Sequence, residues 1–391
     1  MKEEQPATPT ITDRVQALGA WLRERRPSWR AFVIAALLVA LADLGARALA
    51  RWDLSRDNFA LPWRSDALAR EYLDRLAEYD GPLIAMVGDS TLQPLPKMPK
   101  EITVPSMLQR RLRQVTDNPR WKVANLGLSG AHLGDLANVI HLLPKNVEVA
   151  IITLNYKFLG HAAETPINIY PDLSDEHPPP KMKPVWRVLS TPVLAAEDLW
   201  RLIKSHWFLL RNGIWITDRV FSNRPGNWLH WQVVEGSLRQ ILHALHGYMK
   251  GVPVTPQALY HPWKPEYIAK MRGAVGNAEI KLNSPPMIRF GASLLELRRR
   301  GFITIVYATP YDWTHLEQFQ IVDRTKVHDG LDWLSSFIKQ TGAVFLDLVD
   351  VGEPDWFLDM DHLSVKGREK LANLLIQEIR KRQSIAESIG G

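Results

Sequence analysis

Three runs of strand length, Pro82–Val87 (PLIAMV), Val147–Leu154 (VEVAIITL) and Phe302–Ala308 (FITIVYA), constrain the fold of this chain more than any other feature. They are apolar at nearly every position rather than at alternate ones. Both faces of such strands are buried, as happens inside a parallel sheet covered on either side by helices. Weaker runs at Lys122–Leu126 and Ala343–Leu348 bring the strands to five. Between and after them the apolar spacing is helical, over Asp66–Tyr79, Val104–Val115, Leu133–Leu143, Met287–Arg300, a long stretch at 315–340, and Val365–Arg382.

Strand and helix alternate, which predicts an α/β fold, a three-layer α/β/α flavodoxin-like domain with a parallel sheet, in which sites collect at the carboxyl ends of the strands. The rhythm breaks once. Residues 156–285 open with a proline-rich stretch through Pro192, then offer helix-like segments at Ala196–Phe221 and Glu235–Lys250, and carry Trp186, Trp200, Trp207, Trp215, Trp228, Trp231 and Trp263. This reads as a mainly helical insertion. Its indole rings serve either as its own core or as a lid, a carbohydrate platform or a membrane-interface face. The chain therefore divides into 1–30, 31–52, a first half-domain at 53–155, the insertion at 156–285, and a second half-domain at 286–391.

The segment Ala31–Ala50, AFVIAALLVALADLGARALA, approaches the roughly 20 residues a membrane-spanning helix needs. Asp43 and Arg47, its two charges, are four apart and share a helix face, where they can pair with each other or with a neighbouring helix. Arg23, Arg25, Arg26 and Arg30 precede it, so the positive-inside rule puts 1–30 in the cytoplasm and the domain after residue 52 in the periplasm or outside the cell. A transmembrane signal anchor at 31–52 is the expectation. A signal peptide cleaved after Ala48-Leu-Ala50 and a non-spanning surface helix are its rivals. With no cysteine, disulfides and thiolate chemistry are excluded. The net charge of +6 is spread along the chain without a nucleic-acid-binding signature, so nucleic acid is not an expected partner.

Four short pieces carry the chemistry. Gly88-Asp89-Ser90 follows the first strand, and Asn125-Leu-Gly-Leu-Ser-Gly130 ends the second. Asn155 closes the third, and Asp359-Met-Asp-His362 precedes the last helix. Ester transfer needs a hydroxyl nucleophile, a base to take its proton, and donors for the tetrahedral oxyanion. Ser90 supplies the hydroxyl, and His362 the base. Asp359 orients the imidazole, with Asp361 as a rival orienter or a cap for the following helix. The oxyanion donors are the N–H groups of Ser90 and Gly130 and the side-chain amide of Asn155. His243 and His246 share a helix face but lack a third ligand, so no metal is expected.

These four pieces resemble the blocks of the SGNH/GDSL hydrolase superfamily, over about 80–155 and 286–383. The resemblance implies a serine nucleophile at Ser90, an oxyanion hole from Ser90, Gly130 and Asn155, a His362–Asp359 pair, and no cofactor. The first block reads Gly-Asp-Ser-Thr-Leu here, and the third Thr153-Leu-Asn-Tyr156 where the family usually has Gly-x-Asn-Asp. An N-terminal anchor, an exported domain and a large insertion further resemble SGNH proteins that act beside a membrane-bound O-acyltransferase. That resemblance implies an acyl donor and a glycan acceptor as partners, with O-acetyl transfer to a cell-surface polysaccharide or cell-wall polymer. An SGNH-type carbohydrate esterase with water as acceptor is the alternative from the same residues. A non-catalytic glycan-binding or assembly subunit is the alternative of another class.

Overall fold

A computed structural model describes residues 29–56, 61, 66–94, 102–128, 130–159, 208, 212, 263–275 and 284–390. The strands are β1 (Leu83–Gly88), β2 (Lys122–Gly127), β3 (Val147–Leu154), β4 (Ile303–Ala308) and β5 (Val344–Asp347). They form one parallel sheet in the order β2-β1-β3-β4-β5, the flavodoxin-like order. Successive residues of β1 point to opposite faces of the sheet. On one side Ile84 and Met86 pack with Leu108 and Leu112 of α3 (Val104–Thr116) and Leu375 and Ile379 of α9 (Val365–Gly390). On the other, Leu83, Ala85 and Val87 join a cluster with α2 (Asp66–Ala77), α4 (Leu133–His141), α6 (Pro285–Arg299) and α8 (Arg324–Gln340). Every residue of β1 is buried, as its unbroken apolar run predicts.

The order reverses between β1 and β3, which are hydrogen-bonded neighbours although β2 lies between them in sequence. Chains leaving these two strands diverge to opposite sides and open a crevice at their carboxyl ends. Gly88 closes β1 there because no side chain fits: a Cβ at this position would stand 2.7 Å from the Cβ of Thr153 in β3. The residues that follow Gly88 are Asp89 and Ser90.

Three expectations change. The long helix over 315–340 is two helices, α7 (Trp313–Gln318) and α8. Between them Gln320 takes a φ of 48°, Ile321 turns inward and is buried, and the Asp323 carboxylate accepts from the N–H of Thr325 to start α8. The last helix runs past Arg382 to Gly390, the first glycine after Gly367 and the first stop signal the sequence offers.

The third concerns the anchor. Residues 31–52 lie in a helix, α1 (Trp29–Leu54), but among the described residues no helix is long and apolar enough to cross a membrane. Its carboxyl half carries Asp43, Arg47 and Arg51 and packs on the domain: Ala50 and Leu54 belong to the same apolar cluster as Leu68, Ala69 and Tyr72. Arg47 Nε donates to the buried Asp43 at 2.8 Å, and its guanidinium lies over the ring of Phe208. The amino half instead exposes Ile34, Leu37, Leu38 and Leu41, and Leu44 just beyond it is exposed as well. The segment 1–28 and most of the insertion lie outside the described residues, including all of the expected helix Glu235–Lys250, all of Ala196–Phe221 but Phe208 and Asn212, His243, His246 and every insertion tryptophan except Trp263. Trp263 is half-buried and stacks on His315 with ring centroids 4.6 Å apart, just before α5 (Pro265–Val275).

Candidate active site

Ser90 is presented by a short 3-10 turn, Ser90–Leu92, whose cap is Asp89. One oxygen of the buried Asp89 accepts from the N–H of Thr91 at 3.0 Å and from the Thr91 hydroxyl at 2.6 Å. At the first position of that turn the N–H of Ser90 has no acceptor within the turn itself. The loop after β2 is pinned beside it. Leu128 N–H donates to Gly88 O at 2.8 Å, and the Asn125 amide donates to Leu92 O at 2.9 Å while accepting from Gly127 N–H at 3.0 Å. A turn from Leu128 to Ala131, closed by a 3.1 Å bond, then places Gly130 at a φ of 73°. That positive φ at the third residue of a tight turn favours glycine, and among the described residues a Cβ added there would meet nothing within 4 Å.

The C-terminal loop delivers the other groups. A bridge between Phe357 and Leu363 and a bond from Leu358 N–H to His362 O close a small hairpin around Asp359–His362. Within it one Asp359 oxygen accepts from the N–H of Asp361 at 3.1 Å and of His362 at 2.8 Å. His362 Nδ1 lies 2.8 Å from the other oxygen, and Nε2 lies 3.1 Å from Ser90 Oγ. The structure therefore joins Ser90, His362 and Asp359 in one hydrogen-bonded chain across the crevice. Asp359, with both oxygens within 3.0 Å of Nδ1, is the carboxylate placed to accept from it, while Asp361 Oδ1 lies 3.2 Å away.

Asn155 sits differently from its expected place. It caps the turn Tyr156–Phe158, and its Nδ2 donates both protons to buried carboxylates, Asp89 Oδ2 at 3.0 Å and Asp361 Oδ2 at 2.5 Å. Its Oδ1 accepts from the hydroxyl of Tyr311 at 2.7 Å. An amide with both protons engaged ties the loop after β1 to the loop before α9 and has none left for an oxyanion. Asn155→Ala is therefore expected to cost stability, at least about 1.5–3 kcal/mol in denaturant unfolding, because hydrogen bonds to two buried charges are lost. Unchanged unfolding together with a specific loss of turnover would restore Asn155 as an oxyanion donor.

Lys157 and Tyr311 escaped the sequence reading, and Asp361 was seen only as a rival to Asp359. Lys157 Nζ forms a buried ion pair with Asp361 Oδ2. Both missed residues stand within three positions of a strand's carboxyl end, and that placement is the one signal that could have found them. Asp359, Asp361 and His362 are close enough together to hold a cation, but Asp359 is engaged by Nδ1 and the Lys157 ammonium already occupies Asp361 Oδ2, where it would repel a second cation.

Burial pushes His362 toward the neutral ring. The adjacent Asp361 and Asp359 carboxylates outweigh it and raise its pKa from 6.5 to about 10. The carboxylates thus favour the charged ring, and its capacity to take the Ser90 proton grows as pH rises. The same shift adds stability that is complete below the ordinary value of 6.5 and fades as pH rises through about 10. Asp361 is itself held well below the usual carboxylate range: burial opposes its charge, but the Lys157 ammonium and His362 prevail.

No protein-family model matches the sequence, and no curated protein matches it. Solved structures similar to this chain include a lipase/acylhydrolase from Enterococcus faecalis, with 11% identity, covering 77% of this chain and 96% of that one, at a TM-score of 0.38. An inhibitor-bound aryl esterase from M. smegmatis has 12% identity, covering 77% and 99%, with a TM-score of 0.32. Est24, a carbohydrate acetylesterase from Sinorhizobium meliloti, has 12% identity, covering 77% and 99%, with a TM-score of 0.31. Likeness at this level does not bear on substrate, and the chemistry is read from the residues themselves.

Proposed function

We propose that this chain is an SGNH-type serine enzyme acting on esters, and that it transfers an acyl group, most simply acetyl, through an acyl-Ser90 intermediate to a hydroxyl of a cell-surface polysaccharide or cell-wall polymer. The observation that carries the reading is the continuous chain from Ser90 Oγ through His362 to Asp359. His362 Nε2 takes the hydroxyl proton as Ser90 Oγ attacks the carbonyl carbon of the donor ester. The same proton then passes to the leaving alkoxide as the tetrahedral intermediate collapses. The N–H groups of Ser90 and Gly130 are assigned to the oxyanion. The acceptor hydroxyl repeats these steps in reverse order.

The membrane-anchored form of this reading rests on α1. Its exposed Trp29, Ile34, Leu37, Leu38 and Leu41 offer an apolar face to a lipid surface. Burial of Ala50 and Leu54 in the domain favours retention of the helix over cleavage at Ala48-Leu-Ala50. An anchor of this kind would hold Ser90 beside a membrane-bound O-acyltransferase supplying the acyl group. Release of the full-length protein from membranes by alkaline carbonate would remove this part of the proposal.

Intact-mass spectrometry of the full-length protein incubated with an activated acetyl ester tests the chemistry. An acetyl adduct on Ser90 that persists in water and is discharged onto added glycan oligomers is the expected result. Rapid release of acetate with or without glycan would instead make the chain a carbohydrate esterase. No adduct under any condition would favour a glycan-binding or assembly subunit.

A further inference from the structure

Lys157 is buried beside the catalytic loop at a cost that fold stability alone does not explain. Its side chain is 14% exposed and its partner Asp361 is 1% exposed. Buried ion pairs commonly contribute no net stability against an apolar replacement, because both charges lose their water. The pair is nevertheless built in with care. Lys157 N–H is held by the Tyr311 hydroxyl at 3.2 Å and by Asn155 Oδ1 at 3.3 Å, which fixes the start of the side chain. Asp361 Oδ2 receives both the Lys157 ammonium and the Asn155 amide.

The other oxygen of Asp361 gives the pair its meaning. Asp361 Oδ1 lies 3.2 Å from His362 Nδ1 but accepts no hydrogen bond, because the Nδ1 proton goes to Asp359. It acts on the ring chiefly through its charge. From its own loop His362 thus faces two carboxylates, Asp359 and Asp361. Asp89 adds a third behind Asn155 from the loop after β1, and Lys157 is the cation set among them from the turn after β3. The phenols of Tyr307 and Tyr311, from β4 and the loop beyond it, are kept neutral by burial.

We propose that Lys157 is a positioning residue for the Ser90–His362 chemistry: by pairing with Asp361 it sets the net charge facing the imidazole, and so the pH at which the ring can take the Ser90 proton. The inference rests on the reading of Ser90 as nucleophile. Asp361 is kept because it orders Asn155, and Lys157 offsets the charge that Asp361 would otherwise add to the ring.

The test follows two readouts in the full-length protein: the ascending limb of kcat/KM against pH with p-nitrophenyl acetate, and the titration of the His362 ring by NMR without substrate. In Lys157→Met both are expected to move to higher pH by about one to three units, the range for a charge at this separation. Lys157→Arg keeps the cation and should leave both near wild type, and Asp361→Asn should move both to lower pH. The double variant Lys157→Met/Asp361→Asn removes both buried charges together, so it should titrate above Asp361→Asn alone and close to wild type; it decides the matter if Lys157→Met does not fold. A uniform loss of kcat in Lys157→Met with the limb and the ring titration unmoved would overturn the proposal. So would a double variant that titrates with Asp361→Asn, because the Lys157 charge would then have no effect on the ring. If wild type turns over no ester, the proposed function fails, while the NMR titration still reads the effect of Lys157 on the ring.

Discussion

Ser90→Ala is expected to lower turnover of p-nitrophenyl acetate by at least about 10⁴-fold and to eliminate the acetyl adduct in intact-mass spectra, because removal of a serine nucleophile leaves only binding and oxyanion stabilisation. The fold should be little affected. Ser90 is partly exposed, and its hydroxyl bond to His362 is a single contact at the mouth of the crevice, so the cost lies in the range of about 0.5–1.5 kcal/mol. A thermal unfolding curve measured beside the kinetics separates the two effects. Turnover within about tenfold of wild type would mean that the acyl group does not pass through Ser90, and the ester reading would fall with it.

Asp359→Asn is expected to cost about 10³–10⁴-fold in kcat, with KM little changed. An amide in place of the carboxylate no longer holds the Nδ1 proton in the required tautomer and no longer stabilises the imidazolium. The neighbouring Asp361 makes this a sharper test than usual. Its Oδ1 is 3.2 Å from the same nitrogen and could inherit the proton once Asp359 is neutral. Steady-state kinetics on Asp359→Asn, Asp361→Asn and the double variant decide between them. If Asp359→Asn is mild and Asp361→Asn severe, Asp361 orients the ring. The assignment made here requires the opposite order, because Asp361 is engaged by Lys157 and Asn155 while Asp359 faces Nδ1 with both oxygens.

The layered fold was legible because its signals are local. VEVAIITL and FITIVYA can only be buried on both faces, and the helical spacings between the strands provide the covering layers. The boundaries of β3 are those the sequence predicts, Val147 and Leu154. Ser90, Asp359 and His362 were legible for a related reason. Each is a chemically committed residue type at a strand end or just before a helix, and in a doubly wound sheet those positions converge. The break between α7 and α8 was hidden, since a buried Ile321 and an ordinary aspartate at 323 look from sequence like one more helical turn.

Sequence alone determined the class of the sheet and singled out Ser90, His362 and Asp359, because periodicity and residue chemistry are properties of short segments. Only the tertiary structure decided what surrounds them. Asn155 and Asp361 are 206 positions apart, and Lys157 and Asp361 are 204 apart. No local pattern records that these groups meet in one buried cluster, where an amide is shared between two carboxylates and an ammonium offsets the charge beside the imidazole. Hydrogen bonds and Coulomb forces depend on separation in space, and in a parallel sheet that separation is fixed by which strand ends lie side by side, not by distance along the chain.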